Sequence, residues 1–203
     1  MQLTGIGKSL VSNAIRVYLQ RKIEAPRVLS QLNIGEGSVC IELGCGQGAG
    51  ALLINQYIEC SRIVCVDLDP DMIELAKRYT AHPPRWARNT RTDNIEFLCE
   101  DATQLSFPDC FFDAAFLFGV LNTVEEWQKV IFEVFRILKT GGIFSFKEAL
   151  IPDSSLYFNG IYKLLPIIEE TELKGALERS GFILQHFEVM KHLPGCFVQA
   201  QKN

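Results

Sequence analysis

Apolar positions along the chain switch between two spacings, and the switches mark its elements. Val39 to Leu43 has strand-forming character broken only by Glu42; four glycines follow between Gly44 and Gly50, and a helical apolar run begins at Ala51. Short apolar runs recur at Arg62 to Val66, Ile95 to Cys99, Phe112 to Phe118 and Ile143 to Phe146, and each is predicted to be a strand. The run at 112–118 has almost no polar residue beyond Asp113, as expected of a strand covered on both faces.

Helical spacing separates these runs. Asp69 and Pro70 fit an N-cap and first helical position, and Lys77 and Arg78 suit the far end of that helix. Thr123-Val124-Glu125-Glu126 has capping-box spacing and is predicted to open a long amphipathic helix, which Lys139-Thr140-Gly141-Gly142 ends. Upstream, Ser9 to Gln20 presents a broad apolar face suited to packing or to lying over a site, and Pro26 is predicted to open a second short helix to Leu32. Downstream come a mostly apolar, aromatic stretch from Ala149 to Ile168, a helix from Thr171 to Ser180, and two strands, Phe182 to Met190 and Cys196 to Gln201, joined around Pro194-Gly195. The expected organisation is an N-terminal helical cap (1–36) and one domain (37–203) with 149–168 as a lid-like insertion. Five strands alternating with helices, then an antiparallel pair, define an α/β class.

Composition narrows the function. A length of 203 residues suits one domain, and a net charge of −4 gives no whole-chain electrostatic case for nucleic acid. The apolar run from Ala114 to Leu121 is far too short to span a bilayer, so no transmembrane segment is expected. The N-terminus lacks a signal-peptide hydrophobic region, and a cytoplasmic protein is the expectation. Seven cysteines without a Cys-x-x-Cys pair, and three scattered histidines, outline no zinc site; the cysteines read as reduced and structural.

The strand, glycine turn and helix at 39–54 form a ligand cradle, because a residue without Cβ lets the backbone take positive φ and lets a ligand lie against it. Asp67 ends the next strand about 20 residues further on, where doubly wound folds place a carboxylate on ribose hydroxyls. The pair reads as a nucleoside site. Gly7-Lys8-Ser9 is not a phosphate loop, since Gln2 stands where the first glycine is needed. Gly44-Cys45-Gly46-Gln47-Gly48-Ala49 also satisfies the dinucleotide fingerprint, so an NAD-dependent oxidoreductase is an alternative; against it, no Tyr-x-x-x-Lys follows the nucleotide half. Arg85, Arg88 and Arg91 around Trp86 read either as a basic contact for an anion or as a solvated surface loop.

Glu42-Leu43-Gly44-Cys45-Gly46-Gln47-Gly48 resembles the acid-x-Gly-x-Gly-x-Gly signature of the class I S-adenosylmethionine-dependent methyltransferases, a family whose broader set includes quinone and sterol methyltransferases. The resemblance continues in order through Val66-Asp67-Leu68-Asp69, Cys99-Glu100-Asp101-Ala102, Phe112 to Phe116 with Gly119-Val120-Leu121, and Arg136-Ile137-Leu138-Lys139-Thr140-Gly141-Gly142, where Thr140 replaces the family's proline. It implies a Rossmann-like doubly wound sheet of seven strands, mostly parallel with an antiparallel C-terminal hairpin strand and helices on both faces. It also implies S-adenosyl-L-methionine as cofactor. Gly44, Cys45, Gly46 and Gly48 would cradle its methionine part, with Glu42 on the ammonium. Asp67 would meet the ribose, with Leu68 also in the cofactor site, Asp101 and Ala102 would meet the adenine, and Phe118 and Gly119 would line the pocket. Asp101 reads alternatively as a helix cap.

Two departures shape the chemistry. Asn122-Thr123 stands where many relatives carry two histidines, which removes a histidine base; Asp113 starts its strand rather than ending it, so no metal is expected. Glu148, predicted at the carboxyl end of a strand, is the candidate general base for an acceptor that holds a proton; its alternative is a surface carboxylate. Asn122, Tyr157 and Tyr162 are candidates to line an acceptor site, with core packing of the tyrosines as the other reading. The acceptor expected is a small or medium, partly hydrophobic molecule, methylated by in-line displacement. A nucleoside-binding domain without catalysis, acting as sensor or interaction partner, is the non-enzymatic alternative.

Overall fold

The computed structural model describes residues 14–30, 32–151, 167–190 and 195–203. Its centre is β1 (Val39–Leu43), which pairs in parallel with β2 (Arg62–Asp67) on one side and β4 (Phe112–Phe118) on the other. β3 (Ile95–Cys99) adds to β2, and β5 (Leu138–Glu148) adds to β4, both in parallel. β6 (Phe182–Val189) and β7 (Cys196–Lys202) close the sheet antiparallel, in the order β3-β2-β1-β4-β5-β7-β6. The strand order reverses between β1 and β4, and in open α/β sheets the ligand crevice lies outside the carboxyl ends at such a reversal.

Both sheet faces are covered, as the apolar runs imply. Ile41, Leu43, Ala115, Leu117, Phe144 and Phe146 point to one core, against α5 (Trp127–Ile137) and α6 (Glu170–Ser180). Cys40, Ala114 and Phe116 point to the other, against α2 (Ala25–Leu29), α3 (Ala49–Tyr57) and α4 (Pro70–Ala81). Alternate residues of one strand serve opposite cores because side chains alternate across a strand.

Several boundaries differ from expectation, each for a physical reason. The upstream helix does not break before Pro26: α1 (Ala14–Leu19) runs through a π-helical turn (Gln20–Glu24) into α2. That wider turn eases the conflict between the proline ring and the carbonyl four residues back. Helix α2 also stops at Leu29, short of Leu32, with Ser30 extended. Thr123 does not cap α5. It closes a 3-10 turn (Leu121–Thr123) by donating its hydroxyl to the Val120 carbonyl at 2.7 Å, and α5 starts only at Trp127. Lys139 to Gly142 belongs to β5, which starts as soon as α5 ends; Lys139 Nζ reaches Asp113 Oδ1 at 2.7 Å and ties that start to β4.

Leu150–Ile151 and Ile168–Glu169 form a small parallel pair beside the main sheet. The segment expected as an insertion, with Tyr157 and Tyr162, and the turn at Pro194 lie outside the described residues. Among the described residues no helix is long and apolar enough to cross a membrane.

Candidate functional site

A cavity of about 630 Å³ opens at the carboxyl ends of β1, β2 and β4. Its size falls in the range of about 300–1,000 Å³ usual for small-molecule sites. The turn after β1 builds its floor. Gly44 and Cys45 donate their amides to the Val66 carbonyl at 2.8 and 3.0 Å, and Gly48 donates to Cys45 at 2.9 Å. Gly44, Gly46 and Gly48 have φ of 67°, 51° and 84°, a region L side chains avoid. At Gly44 a Cβ would also lie 2.3 Å from a Val120 methyl carbon.

Asp67 stands at the end of β2 and is held from two sides: Oδ2 accepts from the Gly46 amide at 2.8 Å and Oδ1 from the Asp69 amide at 3.0 Å. Each carboxylate oxygen has two lone-pair directions, so capacity remains for ribose hydroxyls. Burial pushes its carboxyl above the ordinary value, and the backbone donors oppose that rise.

Glu42 lies on the α3 side of β1 at 2% exposure and contributes to the cavity lining. Burial raises its carboxyl to about 8, against hydrogen bonds from the Cys65 thiol and the Ala51 amide. A Cβ at Gly50 would sit 1.8 Å from Glu42 Oε1, so that glycine makes room for the carboxylate rather than for the ligand. Asp101 is exposed, accepts from the Thr103 amide and hydroxyl at 2.8 and 2.7 Å, and is held below its usual range by those bonds. It caps a turn and starts no helix.

Of the expected cofactor residues, Glu42, Gly44, Cys45, Gly46, Asp67, Leu68, Asp101, Ala102, Phe118 and Gly119 line this one cavity. Gly48 shapes the loop from behind: it begins α3 at φ 84°, with Ala76 packed where its Cβ would be. Glu148 is a correction. It is 1% exposed, is absent from the cavity lining, and accepts from the Leu121 amide, Asn122 Nδ2 and the Ala149 amide at 2.7, 2.7 and 2.9 Å. A base must reach the proton it takes, and this carboxyl instead anchors the chain after β4 and β5. Burial raises it as well, while Asn122 and the two amides pull it down. Asn122 is also absent from the lining; its Oδ1 accepts from the Ile168 amide at 2.9 Å and its Nδ2 also donates to Ala149 O.

The sequence reading missed Arg16 and Gln20 from the N-terminal helix, Met72 from α4, and Val120, Glu125 and Glu126 after β4, all of which line the cavity. Arg16 and Gln20 were visible as polar positions within the apolar run of that helix; Val120 stood in the Gly119-Val120-Leu121 motif and Glu125 and Glu126 in the capping-box stretch, where they carried other readings, and nothing local marked Met72. Arg85, Trp86, Arg88 and Arg91 line a second, open cavity, together with Glu36 and Glu59, so its charge is mixed. Among the described residues no group of three or more His, Cys, Asp or Glu comes together to hold a metal.

A doubly wound, mostly parallel sheet closed by an antiparallel strand pair, with a glycine turn at the strand-order reversal, is the Rossmann-like architecture of class I S-adenosylmethionine-dependent methyltransferases. Residues 41–146 match the methyltransferase domain family, and the chain belongs to that family. It is 27% identical to the sterol 24-C-methyltransferase of Aspergillus fumigatus over 81% of this chain and 45% of the relative. It is 26% identical to a demethylmenaquinone methyltransferase of Staphylococcus epidermidis over 94% of this chain and 78% of the relative. The chain therefore spans under half of the sterol relative and about three quarters of the quinone one. It is also similar in fold to a S-adenosylmethionine-dependent methyltransferase of Aquifex aeolicus, with a TM-score of 0.77 at 14% identity over 100% of both chains.

Proposed function

We propose that the protein transfers the methyl group of S-adenosylmethionine to a small or medium, partly hydrophobic acceptor by in-line displacement. The observation that carries this reading is the convergence of Glu42, the glycine turn, Asp67 and Asp101, from or just after the neighbouring strands β1, β2 and β3, on one cavity. The cradle fits the group: Gly44 and Gly46 line the cavity with backbone at positive φ, and the carboxylate of Asp67 is oriented by two amides. When bound, S-adenosylmethionine supplies a methyl group on an already activated sulfonium.

The chain's own contribution is then to hold and orient. Glu42 counters the ammonium, Asp67 accepts from the ribose hydroxyls, and Asp101 with the Ala102 backbone meets the adenine edge. Phe118 and Gly119 form the wall from which the acceptor approaches. Proximity and orientation supply most of the rate in such a transfer, and no base is assigned. Acceptor choice is assigned to the N-terminal helix and the 149–168 segment. The relatives are named for sterol and demethylmenaquinone acceptors, which supports a partly hydrophobic molecule here.

Calorimetric titration with S-adenosylmethionine, S-adenosylhomocysteine and NAD in parallel tests the reading. Binding of the two adenosyl sulfur compounds, lost in Asp67→Ala, is expected; binding of NAD alone overturns it. Cofactor binding without methyl transfer to any acceptor in a panel of quinones, sterols and other small molecules would favour a sensor.

A further inference from the structure

Glu42 is a buried carboxyl whose neighbours fix where it can stand. On β1 it is flanked in register by Cys65 of β2 and by Phe116 of β4. Phe116 brings no polar side-chain atom. The Cys65 thiol donates to Glu42 Oε2 across 3.7 Å, and both side chains are shut off from solvent. Helix α3 forms the third wall. Gly50 is the second residue of that helix, where no positive φ calls for glycine and alanine would favour the helix. A Cβ there would overlap both Oε1 and the carboxyl carbon of Glu42. The Ala51 amide, one residue further on, donates to the same carboxyl.

A cysteine suits the place beside it. A thiol is a weak hydrogen-bond donor, so it orients a carboxylate while leaving most of its capacity for a second partner. Burial pushes the Cys65 thiol well above its ordinary value, and the adjacent Glu42 adds to the rise, so the sulfur keeps its proton and remains a donor. Other groups also act on Glu42 through their charge. Asp67 at the end of β2 favours the neutral carboxyl, and Arg16 of the N-terminal helix favours the ionised one. Cys45 in the glycine turn also feels the Glu42 charge and, being buried, is pushed up as well.

We infer that Cys65 and Gly50 are positioning residues for the cofactor's ammonium. Gly50 leaves the slot into which the Glu42 carboxyl folds, and the Cys65 thiol holds Oε2, so that the carboxylate meets the cavity in one orientation. Neither residue lines the cavity, and both act through Glu42. The inference deepens the cofactor assignment above and rests on it.

The test compares S-adenosylhomocysteine with its deaminated analogue, 4-(adenosylthio)butanoate, by calorimetry on the wild-type chain and on Cys65→Ala, Cys65→Ser and Gly50→Ala. The wild type is expected to bind S-adenosylhomocysteine about tenfold more tightly than the analogue, as a charged hydrogen bond would give. That preference should grow as pH rises toward 8, because the ammonium needs the ionised Glu42. Cys65→Ala is expected to weaken S-adenosylhomocysteine by about fivefold and to leave the analogue unchanged. It should also move the pH dependence upward, since a carboxylate that loses a donor ionises less readily. Cys65→Ser, which keeps a donor, is expected to restore both the affinity and the profile. Gly50→Ala should weaken S-adenosylhomocysteine by about tenfold with the analogue again unchanged, because the carboxyl has to leave its slot.

Equal weakening of both compounds in Cys65→Ala and Gly50→Ala would make these residues packing groups only and overturn the inference. So would an unmoved pH profile in Cys65→Ala, or a wild type that does not distinguish the two compounds. Failure of the wild type to bind either compound would instead remove the cofactor assignment, and this inference with it.

Discussion

Glu42 and Glu148 occupy matching places with opposite consequences. Each lies in the carboxyl-terminal half of a parallel strand, β1 or β5, and they are 2% and 1% exposed. Burial lifts both carboxyls above their ordinary value. Three donors close on Glu148, two of them backbone amides of the loop after β4 and of its own next residue. Glu42 has a weak thiol donor at 3.7 Å and the Ala51 amide, and it borders the cavity. Equal burial thus says little about role; the number and kind of donors decide whether a carboxylate is structural mortar or a charge held ready for a ligand.

The contrast predicts effects that separate stability from binding. Glu148→Ala strips the acceptor from buried donors and is expected to cost about 3 kcal/mol of stability in urea unfolding. Where the variant still folds, its cofactor affinity should change by less than about threefold; a larger loss would put Glu148 back in the site. Asp67→Ala removes the proposed ribose contact and releases both the Gly46 and Asp69 amides, and it should weaken S-adenosylmethionine by about 100-fold in calorimetry, equivalent to about 2.7 kcal/mol.

Glu42→Gln should weaken S-adenosylmethionine by about tenfold at pH 8 while stabilising the empty protein there. The sign follows from linkage: a carboxyl at about 8 in the folded chain and near its ordinary value when unfolded binds more protons in the folded state between those two pH values. Its contribution to stability is present in full at low pH and is lost as pH rises toward 8. The melting temperature of Glu42→Gln should therefore gain on the wild type between pH 5 and pH 8. Cofactor binding favours the ionised form, so wild-type binding should release a proton, seen as a dependence of the binding heat on buffer ionisation; no such dependence would mean that Glu42 does not meet the ammonium. The smallest effect is expected at the exposed Asp101: Asp101→Asn should weaken binding by about twofold to fivefold, because water screens that contact.

Much of this was legible from residues close in sequence. The glycine turn could be read because positive φ demands the same small residue at Gly44, Gly46 and Gly48, with Val120 crowding Gly44 and Ala76 crowding Gly48 as further reasons. Asp67 could be read because a strand's length and direction put its last side chain at the crevice. The buried strands could be read from unbroken apolar runs, but their ends could not. Lys139 to Gly142 looked like a helix stop and is also the start of β5, since pairing with β4 rather than local propensity decides where a strand begins. The stretch at Thr123 carried the signal of a capping box, yet the helix waits until Trp127, and the hydroxyl serves a turn instead.

The sequence by itself therefore determined the α/β class and the glycine turn and carboxylate that line the cavity. These depend on the period of side chains along one element and on backbone angles at single residues, both of which are local. Only the tertiary structure decided that Glu148 turns away from the cavity to hold the Leu121 and Ala149 amides, and that Arg16 reaches the Phe118 carbonyl beside the site. Those outcomes depend on which groups meet when distant segments pack, and a carboxylate or a guanidinium carries no mark in the chain of the partner it will find.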